Sequence, residues 1–445
     1  MDNKISFKSA SLYNATARVQ ENTLLNRGIL ELGGVAAPQV AMSNNKDEAI
    51  ERMIGSGLFF SISFLTPFIL LPAFNKFFLK KAGIVNDFKG LERKIIEVSK
   101  KYLSQDADTM VKGIKETAKK LDIEKSETSN EHQKAFEQLL QRFPDKEELR
   151  KKLLNVHKNV YSSDFLSTAW MQMLAPWVYI AITELRTNKK GFSAAFEMKE
   201  TKIDDEEYKK QKRNKLIANA LFSTIPALVV PRLVTKAMSK DLTKLLKSEN
   251  ILKQGYGKFL NSIKKNAGAF DYTGGIYMSK TIFALMWLLS DYPNCIISSR
   301  DKHESKDRAI RYGVMNLMFF CGDFFINNVL GRLSDKFVGT KIMRTDNPAK
   351  NKGFFNRFRL SMNKFEDIKN LKGLDTKTLN KTKNMAAGIY WASLGINMAL
   401  LGFGLPAFLN RMLKNDIKKE INSENQTKTY TQPILDKKSF KQFGF

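Results

Sequence analysis

The fold class this sequence predicts is all-α, a polytopic membrane helical bundle, and three observations predict it. Six segments are apolar and near spanning length. Prolines stand inside most of them. The connections between them are rich in lysine and arginine, in a chain of 445 residues with a formal net charge of +28. The mean hydropathy of −0.32 hides two populations, apolar blocks and basic ones.

The clearest of these segments is Gly57–Phe74, which carries no charged side chain. At about 1.5 Å per residue such a helix nearly spans a hydrocarbon core of about 30 Å. Lys76, Lys80 and Lys81 close it. Pro67 and Pro72 inside it would each cost about 3 kcal/mol in a soluble helix interior. Membrane helices tolerate them because neighbours re-satisfy the freed carbonyls.

Taken in order, residues 1–46 are polar, hold the Gly33-Gly34 pair and Pro38, and read as a flexible N-terminal arm. Asn45 or Asp47 caps a helix whose early acids suit its positive end. Residues 47–83 form the first span region. Residues 84–160 are a charged helical insertion. Phe136, Leu139, Leu140 and Phe143 share one helical face, Leu149, Leu153, Val156 and Val160 another, and Pro144 separates them. This is a hairpin or three-helix unit, or an amphipathic pad on the membrane.

Residues 161–414 hold the remaining spans: Phe165–Leu185, Leu216–Val234, Met278–Ile297, Tyr312–Leu330 and Ala386–Leu409. Amphipathic stretches join odd to even spans. Leu242, Leu245, Leu246, Phe259, Leu260 and Ile263 alternate with lysines, and so do Phe354, Phe358, Met362, Phe365 and Ile368. Such helices bury an apolar face among headgroups while their bases meet anionic lipid. Residues 415–445 read as a polar, loosely ordered tail.

The spans repeat. Gly275-Ile276-Tyr277 precedes Pro293 by 18 positions, and Gly388-Ile389-Tyr390 precedes Pro406 by 18. Among odd spans, Pro67-x4-Pro72 matches Pro226-x4-Pro231 and becomes Asp323-x4-Asn328 in the fifth. This predicts three repeated helix pairs. Six spans in three pairs, with surface helices after the odd ones, resemble the layout of mitochondrial carriers. In that family an odd-helix proline is followed by an acid two residues on and a base three further. Here Pro72 is followed by Phe74, Asn75 and Lys76, and Pro231 by Leu233 and Lys236. The acid is missing at both places, so the resemblance implies layout and neither activity nor site.

Asp323 and Asp291 are the foremost site candidates. An ionisable group at membrane depth costs roughly 2.5–3.5 kcal/mol on insertion scales and usually faces the bundle interior. Asp323 is expected to point inward and meet a polar side chain of another span. Asp291 lies near its segment end and reaches the interface equally well. Arg232 snorkels to water or pairs with Asp323. Asn316, Asn327, Asn328 and Asn397 line a polar passage or tie helices together.

No Walker A, GxGxxG, HExxH or GxSxG pattern occurs. The three histidines lack metal-ligand spacing, and Cys295 and Cys321 make neither a metal pair nor a disulfide scaffold. Neither an enzyme nor a cofactor is expected. The +28 charge would suit nucleic acid, but proline-bearing uncharged spans oppose that reading, so no nucleic acid is expected. The partners are the lipid bilayer, anionic lipid above all, and a protein docking on residues 84–160. The expected function is a transporter or channel for a small solute or ion in the plasma or inner membrane, with both termini cytoplasmic. The alternative is a scaffolding membrane protein. Every connection is basic, so the positive-inside rule names no clear side.

Overall fold

The computed structural model describes residues 12–19, 23–84, 105–124, 131–198, 204–239, 241–266, 280–344 and 373–439, with residues 270, 363, 368 and 371 between them. It is 87% helical, with no strands among the described residues. The helices are named in chain order: α1 (23–41), α2 (46–81), α3 (Ala107–Glu124), α4 (Glu131–Arg142), α5 (Lys146–Thr187), α6 (Asp205–Ser239), α7 (Ile251–Lys265), α8 (280–297), α9 (302–338) and α10 (376–439).

Four of them are long and apolar enough to cross a membrane: α5, α6, α9 and α10. The first and fourth apolar segments are helical too, in α2 and α8, but are not among those four. The six-span count therefore stands at four here. Gly275-Ile276-Tyr277 of the expected repeat and Phe354, Phe358, Met362 and Phe365 of the expected surface helix lie outside the described residues.

Contacts run α1–α2–α5–α6–α8–α9–α10 and return from α10 to α1, so the helices close a ring. Short links, residues 42–45 and 298–301, make α1 and α2, and α8 and α9, antiparallel neighbours. Five helices widen locally into π-turns: Ile29–Ala36, Thr66–Leu70, Trp287–Asp291, Met318–Gly322 and Leu400–Gly404. Pro38, Pro72, Pro293 and Pro406 each stand second in the α-helical stretch that follows such a turn. A proline has no N–H and crowds the carbonyl four residues back, and a wider turn relieves both problems. Pro293 and Pro406 thus share one register. Pro176, Pro226 and Pro231 sit inside regular α-helix.

Three expectations need correction. The N-terminal arm is helical and packed, at residues 12–19 and again from residue 23 onward: Tyr13, Ala17, Leu30 and Val35 are buried in the main core. Its polar composition concealed Ile29–Ala41, a short apolar helix. The tail is also helical, as α10 continues to Ser439. Leu413 and Ile417 pack on Phe192, Ala194 and Ala195. Finally, no boundary falls at 160, because α5 runs unbroken through 42 residues from the insertion into the bundle.

Phe136, Leu139 and Phe143 of the insertion's first face are buried, as are Leu149, Leu153, Val156 and Val160 of the second. α3 packs on both α4 and α5, so three helices pack together among the described residues of this unit. Leu139→Ala should cost about 2–5 kcal/mol of local stability. Limited proteolysis within 107–142 would read this as faster cleavage, and an unchanged rate would show that these faces carry no core. In the basic connection, Leu242, Leu260 and Ile263 are buried against the bundle, whereas Phe259 is exposed.

Candidate functional site

The N-termini of α2 and α9 come together at one end of the bundle. Each begins with a capping side chain. Asn45 Oδ1 accepts from the Glu48 amide at 2.9 Å, and Asp301 Oδ1 accepts from the Glu304 amide at 2.9 Å. In return, Glu48 accepts from the Asn44 amide and Glu304 from the Arg300 amide, both at 2.6 Å. These reciprocal bonds satisfy the orphan donors of a helix start. The linker after α5 spans the two starts. Its Ser193 carbonyl accepts from Asn45 Nδ2 at 2.8 Å, and its Phe192 amide donates to Asp301 at 2.9 Å.

An arginine follows each acid by one turn. Arg52 Nε donates to Glu48 at 2.7 Å, and Arg308 Nη2 donates to Glu304 at 2.6 Å. Arg300 joins the two helices. Its Nη1 and Nη2 reach the two oxygens of Glu51 at 3.1 and 2.6 Å, while Nε and Nη2 reach Glu304 at 3.0 and 2.9 Å. Arg311 binds Asp307 through two bonds, at 2.9 and 2.7 Å. The side chains of Arg300, Glu51 and Glu304 are 2%, 7% and 1% exposed, so this network is interior rather than surface. Burial opposes the Arg300 charge, but Glu304 and then Glu51 outweigh it and hold the guanidinium well above the usual arginine range. Planar, paired guanidinium–carboxylate contacts are the geometry in which buried charges are best compensated.

Below this network lies a cavity of about 130 Å³. Glu48, Glu51, Arg52, Glu304, Asp307 and Arg308 line its charged end, and Gln172, Trp287, Asp291, Phe59, Phe60 and Met315 its deeper part. α1 contributes Glu31, Val35 and Gln39. Gln172 Oε1 and Ser193 Oγ, both on its wall, find no hydrogen-bond partner among the described residues. Among those residues no three His, Cys, Asp or Glu side chains meet as a metal site.

Of the residues singled out from sequence, Asp291 alone lines this cavity, and it is buried. Asp323 opens the α-helical stretch after the π-turn of α9, but its side chain lies outside the described ones. Arg232 is exposed on α6. Asn316 is buried and donates to its own helix, to the Tyr312 carbonyl at 2.8 Å. Asn327 and Asn328 are buried away from the cavity lining, as is Asn397.

The charged network was missed, although the sequence carries a signal for it. Asn45, Glu48, Glu51 and Arg52 recur at identical spacing as Asp301, Glu304, Asp307 and Arg308. Gly57 and Gly83 recur as Gly313 and Gly339 in the same register, and Gly83 and Gly339 adopt φ values of +71° and +72° at the far ends of the two helices. The chain matches no protein-family model, no curated protein and no solved structure. Its class is an all-helical chain with four apolar helices compatible with a membrane protein.

Proposed function

We propose that the chain is a multi-pass integral membrane protein that binds a small solute or ion in the cavity beneath its charged helix starts and moves it across the bilayer. The observation carrying this reading is the contrast between inside and outside. A charged cavity lies within the bundle, while the outward face of α6 exposes Ile217, Leu221, Ile225 and Val229, one turn apart and each about half exposed. An apolar stripe of this kind belongs against lipid tails or another apolar surface.

In this reading α2 and α8 also cross, giving six spans in three repeated pairs. Equal spacing supports it. The helix caps Asn45, Asp204 and Asp301 each precede Pro67, Pro226 and Asp323 by 22 positions, with Glu48, Glu207 and Glu304 three after the cap. The charged network then lies near the interface, where its burial in protein costs less than exposure to lipid. Anionic lipid meets the lysines of α7, in a plasma or inner membrane with cytoplasmic termini. The proposal assigns no chemical reaction, cofactor or nucleic acid. A second reading, a scaffold, draws on the packed α3–α4 unit outside the cavity, which offers a protein-docking module.

Extraction at alkaline pH tests the membrane assignment: the protein should stay in the pellet, and release would end both readings. Uptake of candidate solutes into proteoliposomes separates them. The wild type should accumulate solute and Asp291→Asn should slow uptake. A wild type that moves none of the solutes, yet retains a partner through 84–160, would favour the scaffold.

A further inference from the structure

Resting on that cavity reading, we propose that a file of buried water continues the cavity along α5, from Gln172 past Thr168 to Asp164, and conducts protons, with Asp164 as the group that holds them. These three side chains stand four residues apart on one face of the helix and are 6%, 6% and 2% exposed. Each has an oxygen with no hydrogen-bond partner among the described residues: Gln172 Oε1, Thr168 Oγ1 and Asp164 Oδ1. Buried threonines elsewhere turn back to their own helix. The hydroxyls of Thr16 and Thr66 donate to the carbonyl four residues before, at 2.8 and 3.0 Å. At Thr168 that carbonyl belongs to Asp164 and accepts from Ser167 Oγ at 3.1 Å.

Spacing decides what these oxygens hold. Four helical residues rise about 6 Å, close to two hydrogen bonds of about 2.9 Å end to end, so one water fits between each neighbouring pair. Buried water characteristically bridges polar groups that lack other partners. A single metal ion is ruled out. Asp164 and Gln172 stand about 12 Å apart along the axis, whereas a hard cation draws its oxygen ligands to about 2.3–2.6 Å. Of the three groups only the carboxyl binds and releases a proton, and the hydroxyl and amide hold the water in line.

The file also has the reach. Gln172 lies on the cavity wall, and Thr168 and Asp164 lie beyond its lining. At the charged end, Arg186 of the same helix pairs with Asp47 at 2.9 Å. Asp164 is 22 residues from Arg186, about 33 Å along the axis, against a hydrocarbon core of about 30 Å. Cavity and file together run nearly the full depth of the span. The titratable groups toward the file are Tyr161 and His157, buried on the same face of α5, and Asp291 on the cavity wall. The neighbouring stretches Gly57–Phe74 of α2 and Leu216–Pro231 of α6 contain none. α3, packed on the start of α5, turns its buried Asp122 to the Gln133 amide of α4 at 3.1 Å.

The test uses the full chain in liposomes that enclose a pH-sensitive dye, with valinomycin and potassium to balance charge. After an external pH jump, the wild type should collapse the gradient several-fold faster than empty liposomes. Asp164→Asn should return the rate to that of empty liposomes. Thr168→Val removes the hydroxyl, keeps the shape and breaks no bond among the described residues. It should unfold at the wild-type temperature or above, and slow the flux several-fold. Should Asp164→Asn fail to fold, Thr168→Val decides, and a flux equal to wild type overturns the file. A wild type no faster than empty liposomes also overturns it. Solute uptake without proton flux would sink this inference and leave the cavity reading standing. Proton flux without uptake of any solute would do the reverse.

Discussion

Replacing Arg300 with methionine is expected to destabilise the folded protein by about 3–5 kcal/mol, the range for a buried ion pair that loses one partner. Arg300 is the only bridge between the helix starts of α2 and α9 made by a side chain of the 298–301 link among the described residues, and it satisfies two carboxylates at once. Without it, Glu304 keeps Arg308, at 2.6 Å. Glu51 loses both of its bonds to Arg300. The penalty comes from stranding that charge, not from the net worth of the pair. A double variant, R300M with Glu51→Gln, should therefore recover more than half of the loss. Arg300→Lys should fall between wild type and R300M, because an ammonium keeps the charge but not the fork that reaches two acids. Denaturant unfolding in detergent measures all three. A single variant within about 1 kcal/mol of wild type would show that water already screens this network, since exposed pairs are worth about that much. The buried description would then be wrong.

What the sequence made legible is local. The two faces of the insertion were readable because burial in a helix follows a period of 3.6. Leu149, Leu153, Val156 and Val160 all fall where that period puts them. Four apolar segments fall in helices long and apolar enough to cross a membrane, because hydropathy and length need no knowledge of partners. The cavity was not legible in the same way. Arg300 and Glu51 are 249 residues apart, and each stands in a stretch whose composition resembles a solvated loop or helix start. Of the carboxylates inside apolar segments, only Asp291 is placed on the cavity wall. The signal that would have served is the repeated Glu-x2-acid-Arg pattern after two helix caps. It lies in the charged segments, outside the apolar ones that carry the proline repeats.

The N-terminal helix failed for a related reason. Gly33-Gly34 suggests a turn when read with its neighbours alone. Inside a helix the same residues permit close approach to another backbone, and the partner surface is almost 370 residues downstream. The C-terminal tail shows the converse. Leu413 and Ile417 are four apart and bury together, while Asp416 and Glu420 turn to α9. There Asp416 binds Lys306 at 2.5 Å, and Glu420 binds Lys302 and, at 3.0 Å, His303. That pattern is short and flanked by lysines, so composition alone read it as solvated.

Gly402→Val should detach α1 from the ring. The π-turns of α1 and α10 meet here, and a Cβ at Gly402 would run into the Gly34 carbonyl oxygen while standing 3.0 Å from Pro38 Cγ. The obstructing atoms are backbone and a proline ring, neither of which can rotate aside. Overpacking of this kind typically costs about 1–3 kcal/mol. The effect should extend to the cavity, because Glu31, Val35 and Gln39 of α1 form part of its wall, and Gln39 Nε2 reaches the Leu401 carbonyl at 3.4 Å. Hydrogen exchange should therefore rise across residues 29–41, together with a fall in ligand affinity. Gly388→Ala, on the exposed face of the same helix with nothing within 4 Å of the added carbon, is the matched control. It should be neutral or stabilising by up to about 1 kcal/mol, the helix-propensity difference between the two residues. If both variants left exchange over 29–41 unchanged, α1 would not be held by this crossing. The closure of the ring, and with it the enclosure of the cavity, would have to rest on other contacts.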